Sequence, residues 1–587
     1  MRFPSVDILL ARATDVLRRF PWTIGVAVAA AAAGIIGTLD HTDDELWARI
    51  ALTAALGLPA TIAVTLAVAR ERGREAIAQV VVLALLALFF VYWPGPEEKH
   101  HAIRYVQLSA ALHLAVAFLP FLGAPDTDGF WQYNRRLFEG FLRAVVFSAV
   151  LFVGLVIALG ALDKLFGVDV EPESYFRTWL FIAFVVNTWI FLATVPEDIP
   201  ALSRDREYPK ALKVFSQYIL TPLVFIYMVI LLAYLVKIVA GAEWPSGWIG
   251  WLVTSVAVAG LLGFLLVHPL RSDPEEGWIR VYARWLFIGL IPSALMLLTA
   301  FWKRILPYGL TELRFLGLLL GLWLLGISIL FTVRRTASIR IIPVTLAILL
   351  LVTLYGPTSL TSIAVGSQQR RLASLLPTAA TDRDDGREAS AALRFLMEHD
   401  AEGAIATAIG KELPDIDLDS VPNHGDQRDS VATRILALAG VPYVPEYWAI
   451  PESNGAFYVN AGPTEAMPVA GFDWVVRVWS SDTTPRMAGA DTVRVAFDQD
   501  TGIARIQAGR DTLTFNVGAL AARIADSLPP DRSFPAGRLR IDAAGPRRAA
   551  LLIGNLNGER NGERIEIQNW GGSLLLANPD SLPAVPR

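Results

Sequence analysis

Residues 285–333 read WLFIGLIPSALMLLTAFWKRILPYGLTELRFLGLLLGLWLLGISILFTV. Two uncharged runs flank one polar connection, FWKRILPYGLTELRF at 301–315. Each run approaches the roughly 20 apolar residues that a helix needs to cross a bilayer. The connection holds two adjacent cations, a Pro, a Tyr-Gly pair, a Glu and an Arg. The pattern is that of a membrane hairpin, and it recurs along the chain.

Eleven spans are expected, at residues 22–39, 50–69, 76–93, 105–122, 141–162, 176–195, 219–239, 248–267, 285–301, 315–333 and 341–354. The last is short and ends at Tyr355-Gly356-Pro357. Trp and Tyr stand at many of the ends, as an interfacial belt requires. With 54% hydrophobic residues and a mean hydropathy of +0.46, the chain of 587 residues is too apolar for a soluble protein. No small-residue cleavage site bounds the first run, which reads as a retained span. Ahead of it, residues 1–21 read as a cytoplasmic amphipathic helix. Ser5 is its N-cap, Val6, Leu9, Leu10, Ala13, Val16, Leu17 and Phe20 form its apolar face, and Arg12, Arg18 and Arg19 face headgroups. Packing of that face on protein is the alternative.

Cations in alternate connections set the orientation. One set of connections, from the N-terminus through Arg135, Arg136 and Lys213 to Arg340, holds nineteen Lys and Arg. The other, from Arg49 through Lys99 and Lys164 to Arg314, holds eight. The N-terminus is therefore expected in the cytoplasm and, after an odd number of spans, the C-terminal part outside. Three of the eight outer cations, Lys303, Arg304 and Arg314, crowd into the 301–315 connection. Within the spans Lys237 is the clearest charge, near the outer end of its helix, where snorkelling accounts for it. His113 and Asn187 lie mid-span and read as interhelical glue, while Gly317 and Gly321 form a close-packing GxxxG.

Three segments carry a resemblance. They are Lys237 with Glu243-Trp244-Pro245-Ser246-Gly247, then Arg304-Ile305 with Tyr308-Gly309-Leu310-Thr311-Glu312-Leu313-Arg314-Phe315, then Gly356-Pro357 with Ser367-Gln368-Gln369-Arg370-Arg371-Leu372. In this order and spacing the membrane half, up to Leu376, resembles the bacterial domain-of-unknown-function family 4153. That family comprises uncharacterised polytopic inner-membrane proteins. The resemblance implies a multi-span fold and assigns no activity.

The expected topology brings the three segments to one outer face. A polar cluster is expected there, with Lys237, Lys303, Arg304 and Arg314 as cations and Glu243 and Glu312 as their partners. Trp244 belongs to the cluster, Tyr308 supplies a hydroxyl, and Gln368 and Arg371 close the cluster from the juxtamembrane segment. Two readings stay open: a site for a phosphate or carboxylate headgroup of an anionic or lipid-linked molecule, and a clasp that joins the bundle to the outer domain.

The expected fold is thus a polytopic α-helical membrane bundle over 22–356, a juxtamembrane segment and linker over 357–390, and an extracytoplasmic, strand-rich α+β domain over 391–587. In that last domain helices are expected at 391–399, 404–411, 429–438 and 517–527. Strands are expected at 456–459, 474–479, 492–497, 503–508, 511–515, 538–541, 550–556, 564–569 and 573–577, with a turn at Asp500-Thr501-Gly502. The stretches DTLTFNVGALAARI and GERIEIQNWGGSLLL read as two copies of one unit.

A net charge of −4 gives no nucleic-acid surface, and the lack of cysteine excludes disulfides, thiolate metal sites and a cysteine nucleophile. There is no HExxH, GxSxG, Walker loop or metal-spaced His cluster, so no cofactor or metal is expected. His399 and His424 fall in separate polar segments, and Asp473 and Asp498 read as turn or edge residues. The expected partners are the lipid bilayer, an anionic headgroup and an envelope protein. The expected role is an envelope interaction or sensory protein. A transporter or channel for a small solute, and an envelope enzyme acting on a lipid-linked anionic substrate at the outer face, are the rivals.

Overall fold

The computed structural model describes residues 14–39, 44–68, 72–96, 99–123, 126–205, 207–241, 248–272, 276–334, 336–413, 418, 426–444, 456–461, 469, 471–482, 484–489, 491–499, 501–525, 533–534, 536–544, 547–561 and 564–578. It divides into two compact units, Met1–Arg371 with Glu398–Ala404, and Leu372–Met397 with Ile405–Arg587.

Among the described residues the first unit is built of helices: α1 (Pro21–Gly37), α2 (Asp44–Val68), α3 (Arg72–Tyr92), α4 (Lys99–Phe118), α5 (Thr127–Phe166), α6 (Glu173–Leu192), α7 (Lys210–Gly241), α8 (Trp248–Val267), α9 (Gly277–Tyr308), α10 (Glu312–Val333) and α11 (Ile341–Val352). The helix α12 (Leu360–Ala379) follows. Among the described residues nine of these helices, α2 to α10, are long and apolar enough to cross a membrane. The other two apolar helices, α1 with 17 residues and α11 with 12, stand where the first and last spans were expected. Residues 14–19 are helical, and Val16 and Phe20 are buried with Ile24 in the core, so this end of the expected N-terminal helix packs on protein. Its first part, with Ser5 and Arg12, lies outside the described residues.

The core between helices is aromatic and aliphatic. Phe264 of α8, Phe287 of α9 and Phe331 of α10 form a triad with centroids 4.8, 4.9 and 5.4 Å apart. Small residues allow α9 and α10 to close up, since a Cβ on Gly317 would strike the Phe301 ring. Polar side chains in these helices bond across to their neighbours: Thr23 to Thr61 at 2.9 Å, Gln79 to Thr65 at 2.8 Å, and Trp323 Nε1 to Thr345 at 2.9 Å. Ser148 reaches Asn187 at 3.4 Å, whereas His113 bonds Ser109 O of its own helix. The role expected of Asn187 thus has a cross-helix partner, and that of His113 does not. A π-turn interrupts α6 at Ile182–Val186 and α7 at Phe215–Leu220.

The second unit opens with the end of α12 from Leu372, followed by α13 (Arg383–Met397), α14 (Glu402–Ile409), whose first turn belongs to the first unit, and α15 (Asp426–Leu438). The polar stretch read as a linker is therefore helical from Arg383 onward. Asp382 makes it so, because its carboxylate accepts from the N–H groups of Asp384 and Asp385 at 2.8 and 3.1 Å. Ala389, Ala392, Leu393 and Leu396 then recur on one buried face.

Among the described residues ten strands follow: β1 (Ala456–Ala461), β2 (Trp474–Trp479), β3 (Arg486–Ala488), β4 (Asp491–Asp498), β5 (Ile503–Ala508), β6 (Asp511–Asn516), β7 (Ser533–Phe534), β8 (Arg540–Asp542), β9 (Ala549–Asn561) and β10 (Arg564–Leu576). The helix α16 (Val517–Ala525) lies between β6 and β7. One sheet runs β2-β10-β9-β1-β7 with β8 on β9, and a second is the meander β3-β4-β5-β6. Pairing is antiparallel except for β1 with β7. Both sheets and α16 share one core, which includes Ile506, Phe515, Leu520, Leu556, Ile567 and Trp570.

The strands expected at 564–569 and 573–577 are one, β10. Irregularities after Ile567 and Gly571 shift its register and let it run on. A Cβ at Gly572 would lie 2.1 Å from the Leu552 carbonyl oxygen, so glycine alone permits that passage. The described part of GERIEIQNWGGSLLL, residues 564–576, thus forms strand alone, whereas DTLTFNVGALAARI is strand then helix, and the two are not copies of one unit. Asp500 of the expected turn lies outside the described residues, while Gly502 follows it with φ +66°.

Candidate functional site

Helix α9 ends because Gly309 takes a positive φ of +66° with an extended ψ, a conformation open to glycine, which turns the chain within three residues into α10. The short turn leaves several carbonyls unpaired by helix bonds. Side chains supply the missing donors. The Gln368 amide of α12 donates to Tyr308 O at 3.0 Å and to Leu310 O at 2.9 Å. Arg371 Nε donates to Pro307 O at 3.1 Å, and Arg314 Nη1 donates to Gly309 O at 3.0 Å and Tyr308 O at 3.2 Å. In the reverse sense, the Leu310 N–H donates to Ser367 Oγ at 3.0 Å.

Two cations lie near the Tyr308 ring, with the Arg314 and Arg371 guanidinium carbons 5.6 and 5.9 Å from its centre. Gln368 is only 2% exposed, although it is an amide just beyond the last apolar helix. Ser359 caps α12 by accepting from the Ser362 N–H at 3.1 Å, which aligns Leu360, Ala364 and Gln368 four residues apart on a buried stripe. A Cβ on Gly309 would lie 2.9 Å from the Gln368 amide nitrogen, so the turn and the amide fit each other closely.

Glu312 opens α10, where a carboxylate suits the helix dipole. It is 5% exposed, and its partner is His399, whose Nε2 donates to Glu312 Oε1 at 2.5 Å. The His399 ring stacks on His100 at 4.8 Å, and His100 lies against His101 at 3.9 Å. Arg104, one turn along α4, faces the Tyr355 ring at 5.7 Å. Residues missed by sequence reasoning are therefore His100, His101 and His399. The nearest signal was the doublet His100-His101 at the start of an apolar helix, with no hint of its third member. Among the described residues no group of His, Asp and Glu is arranged to hold a metal ion.

The structure thus brings Tyr308, Glu312, Arg314, Gln368 and Arg371 together around one turn. Lys303 and Arg304 lie on the exposed surface of the last turns of α9. Lys237 is exposed near the end of α7 and makes no hydrogen bond or ion pair with the other described residues. Glu243 and Trp244 lie outside the described residues.

A family model described as a domain of unknown function, DUF4153, matches residues 24–384. An uncharacterized protein of Pasteurella multocida strain Pm70 is 25% identical over 231 residues, 39% of this chain and 38% of that protein. The chain therefore spans less than two-fifths of that relative's length. No solved structure matches the chain. The match to the family model takes in most of the helical unit, the 308–315 turn and the Ser367-to-Leu372 motif, and covers well over half of the 587 residues. The chain belongs to the family of the domain of unknown function DUF4153.

Proposed function

We propose that this is a multi-pass protein of the bacterial cytoplasmic membrane that works in the envelope by interaction or sensing. In this reading it has eleven spans, a cytoplasmic N-terminus, and an extracytoplasmic strand-rich domain from residue 391 onward. The imbalance of cations between alternate connections supports the orientation. The shorter helices α1 and α11 supply the two spans beyond the nine of full length.

The observation that carries the reading is the use made of the polar groups around Gly309. Gln368, Arg371 and Arg314 direct their donors to backbone carbonyls of residues 307–310, and Glu312 is taken by His399. A pocket built for an anion would keep its guanidinium forks open for bidentate pairing. Here they hold a turn in place, which makes the cluster a clasp on α12, the helix by which the chain leaves the bundle. The cross-helix pairs Thr23–Thr61 and Gln79–Thr65 likewise tie helices together.

The test compares two sets of variants for abundance in the membrane and for rescue of a deletion strain. Gln368→Ala and Arg371→Ala should lower abundance and lose rescue in proportion. Lys303→Ala and Arg304→Ala should leave both unchanged. Loss of rescue by either of the latter at normal abundance would replace the clasp with a headgroup-binding or catalytic site.

A further inference from the structure

A cavity of about 780 Å³ lies in the helical unit, far along the chain from the turn at Gly309. Its wall is the early part of α5, the end of α6, and the segment leading into α7. At 40 residues α5 is about 60 Å long, twice the roughly 30 Å of a hydrocarbon core. Its character changes part-way. From Gly129 to Gly140 it is largely buried and carries Gln132, Arg135 and Glu139. From Phe141 onward it exposes apolar side chains, such as Phe147 at 59% and Val150 at 69%. The cavity straddles this change, at the level where a bilayer's headgroups would meet its chains.

The polar end is built from a fixed ion network. Arg135, 5% exposed, donates to Gln132 Oε1 at 2.9 Å and pairs with Glu139 at 3.1 Å and Asp205 at 3.5 Å. Arg136 pairs with Asp205 at 2.8 Å while keeping part of its guanidinium exposed. Two turns on, at i+7 on the same face, Arg143 donates through Nε to Glu139 O at 3.3 Å. Its two Nη groups have no partner among the described residues. Opposite stands Trp189 of α6, half-buried, whose indole N–H also has no hydrogen-bond partner among the described residues. The apolar end is lined by Phe147 and Ile190. Glu207, an exposed carboxylate at the rim, leaves the cavity only weakly cationic.

We propose that this cavity holds a membrane phospholipid. Its phosphodiester sits on the Arg143 fork with Arg136 behind it, the Trp189 N–H donates to a headgroup or ester oxygen, and one acyl chain runs down the apolar face of α5 past Phe147. A guanidinium with an open fork beside an aromatic and an apolar stripe matches a phosphate joined to a hydrocarbon. The rim carboxylate Glu207 faces the polar substituent beyond the phosphate. The proposal needs a bilayer around α5 but does not depend on which side of the membrane the cavity faces.

The test uses the full chain purified in detergent and titrated with dihexanoyl phosphatidylglycerol, with inorganic phosphate and the detergent alone as separate arms. A saturable rise in the thermal unfolding midpoint is expected with the phospholipid only. Arg143→Gln, an exposed position that leaves the ion network intact, should raise the half-saturating concentration by about tenfold. Lys237→Gln, an exposed cation elsewhere, should not shift it. Native mass spectrometry should find phospholipid retained by the unsubstituted chain and by Lys237→Gln, and depleted from Arg143→Gln. An equal response to inorganic phosphate would assign the cavity to a free anion and overturn the proposal. An unchanged response in Arg143→Gln would overturn it as well.

Discussion

The Glu312–His399 pair concentrates the energetics of the turn at one contact. Both side chains are nearly out of solvent, and His399 lies between the Glu312 carboxylate and the His100 ring. Removing one member of a buried pair strands the other, which costs about 3–5 kcal/mol, while replacing both with apolar groups is often close to neutral. His399→Leu is therefore expected to destabilise the full chain in detergent strongly, and Glu312→Leu with His399→Leu to recover most of that loss. Urea or thermal unfolding of the single and double variants completes the cycle. Additive losses would mean that the two side chains act independently. The sequence showed half of this site. Tyr308, Glu312, Arg314, Gln368 and Arg371 stand out as polar residues beside apolar spans, and their motifs carry the family resemblance. It could not show that Glu312 is met by a histidine 87 residues away, because polar segments outside the spans carry no periodicity that fixes their place. Nor could it show that the cations serve backbone carbonyls, since the unpaired carbonyls arise from the turn at Gly309 and not from any residue type.

Among the elements, those with a strong period were legible and those held by local geometry were not. The long apolar helices read clearly because apolar runs of this length have few alternatives, and β2 and β5 read clearly from alternation. The β9–β10 ladder was broken into pieces because Gly571-Gly572 looks like a turn, whereas the structure uses it to shift register within one strand. Helix α13 was lost in a charged stretch whose cap, Asp382, outweighs its composition. That helix is joined to the segment after α15 by side chains. Ser390 Oγ accepts from the Val444 N–H at 2.9 Å, Arg394 donates to Val444 O at 2.8 Å, and the Tyr443 hydroxyl donates to Asp429 at 2.6 Å. Burial, and then the Asp429 carboxylate, raise the Tyr443 pKa above its ordinary value of 10.0. The fold thus favours the neutral phenol, and that stability is complete below about pH 10 and lost as pH rises toward the higher folded value. Tyr443→Phe should cost about 1.5–3 kcal/mol at neutral pH, the worth of a hydrogen bond to a charged group. It should also flatten the alkaline fall, followed by near-ultraviolet circular dichroism. An alkaline fall as steep in the variant as in the parent would place its cause elsewhere.

For the whole molecule, the turn at Gly309 constrains topology more tightly than the cation count does. Helix α10 leads away from the turn over 22 residues, about 33 Å, and α11 returns over only 12, about 18 Å. Even so, Gln368 bonds to both Tyr308 and Leu310. Residues 308–310 and 368 must therefore lie on the same side of the bilayer, whichever side it is, and the shortness of α11 cannot change that. Reporter fusions after Ser390 and between residues 204 and 213 decide the side. With eleven crossings the fusion after Ser390 is exported and the one at 204–213 stays in the cytoplasm, and Lys303, Arg304 and Arg314 form the exceptional outer cluster. If the fusion after Ser390 reports the cytoplasm, the 301–315 connection must be there too, and its three cations become ordinary inner residues. The miscount would then fall ahead of α10, and if the 204–213 fusion still reports the cytoplasm, it would fall between these two connections. If both fusions reverse, α1, at 17 residues about 25 Å long, is the helix that fails to cross. The clasp at Gly309 survives each of these results, because it depends on one side being shared and not on which side that is.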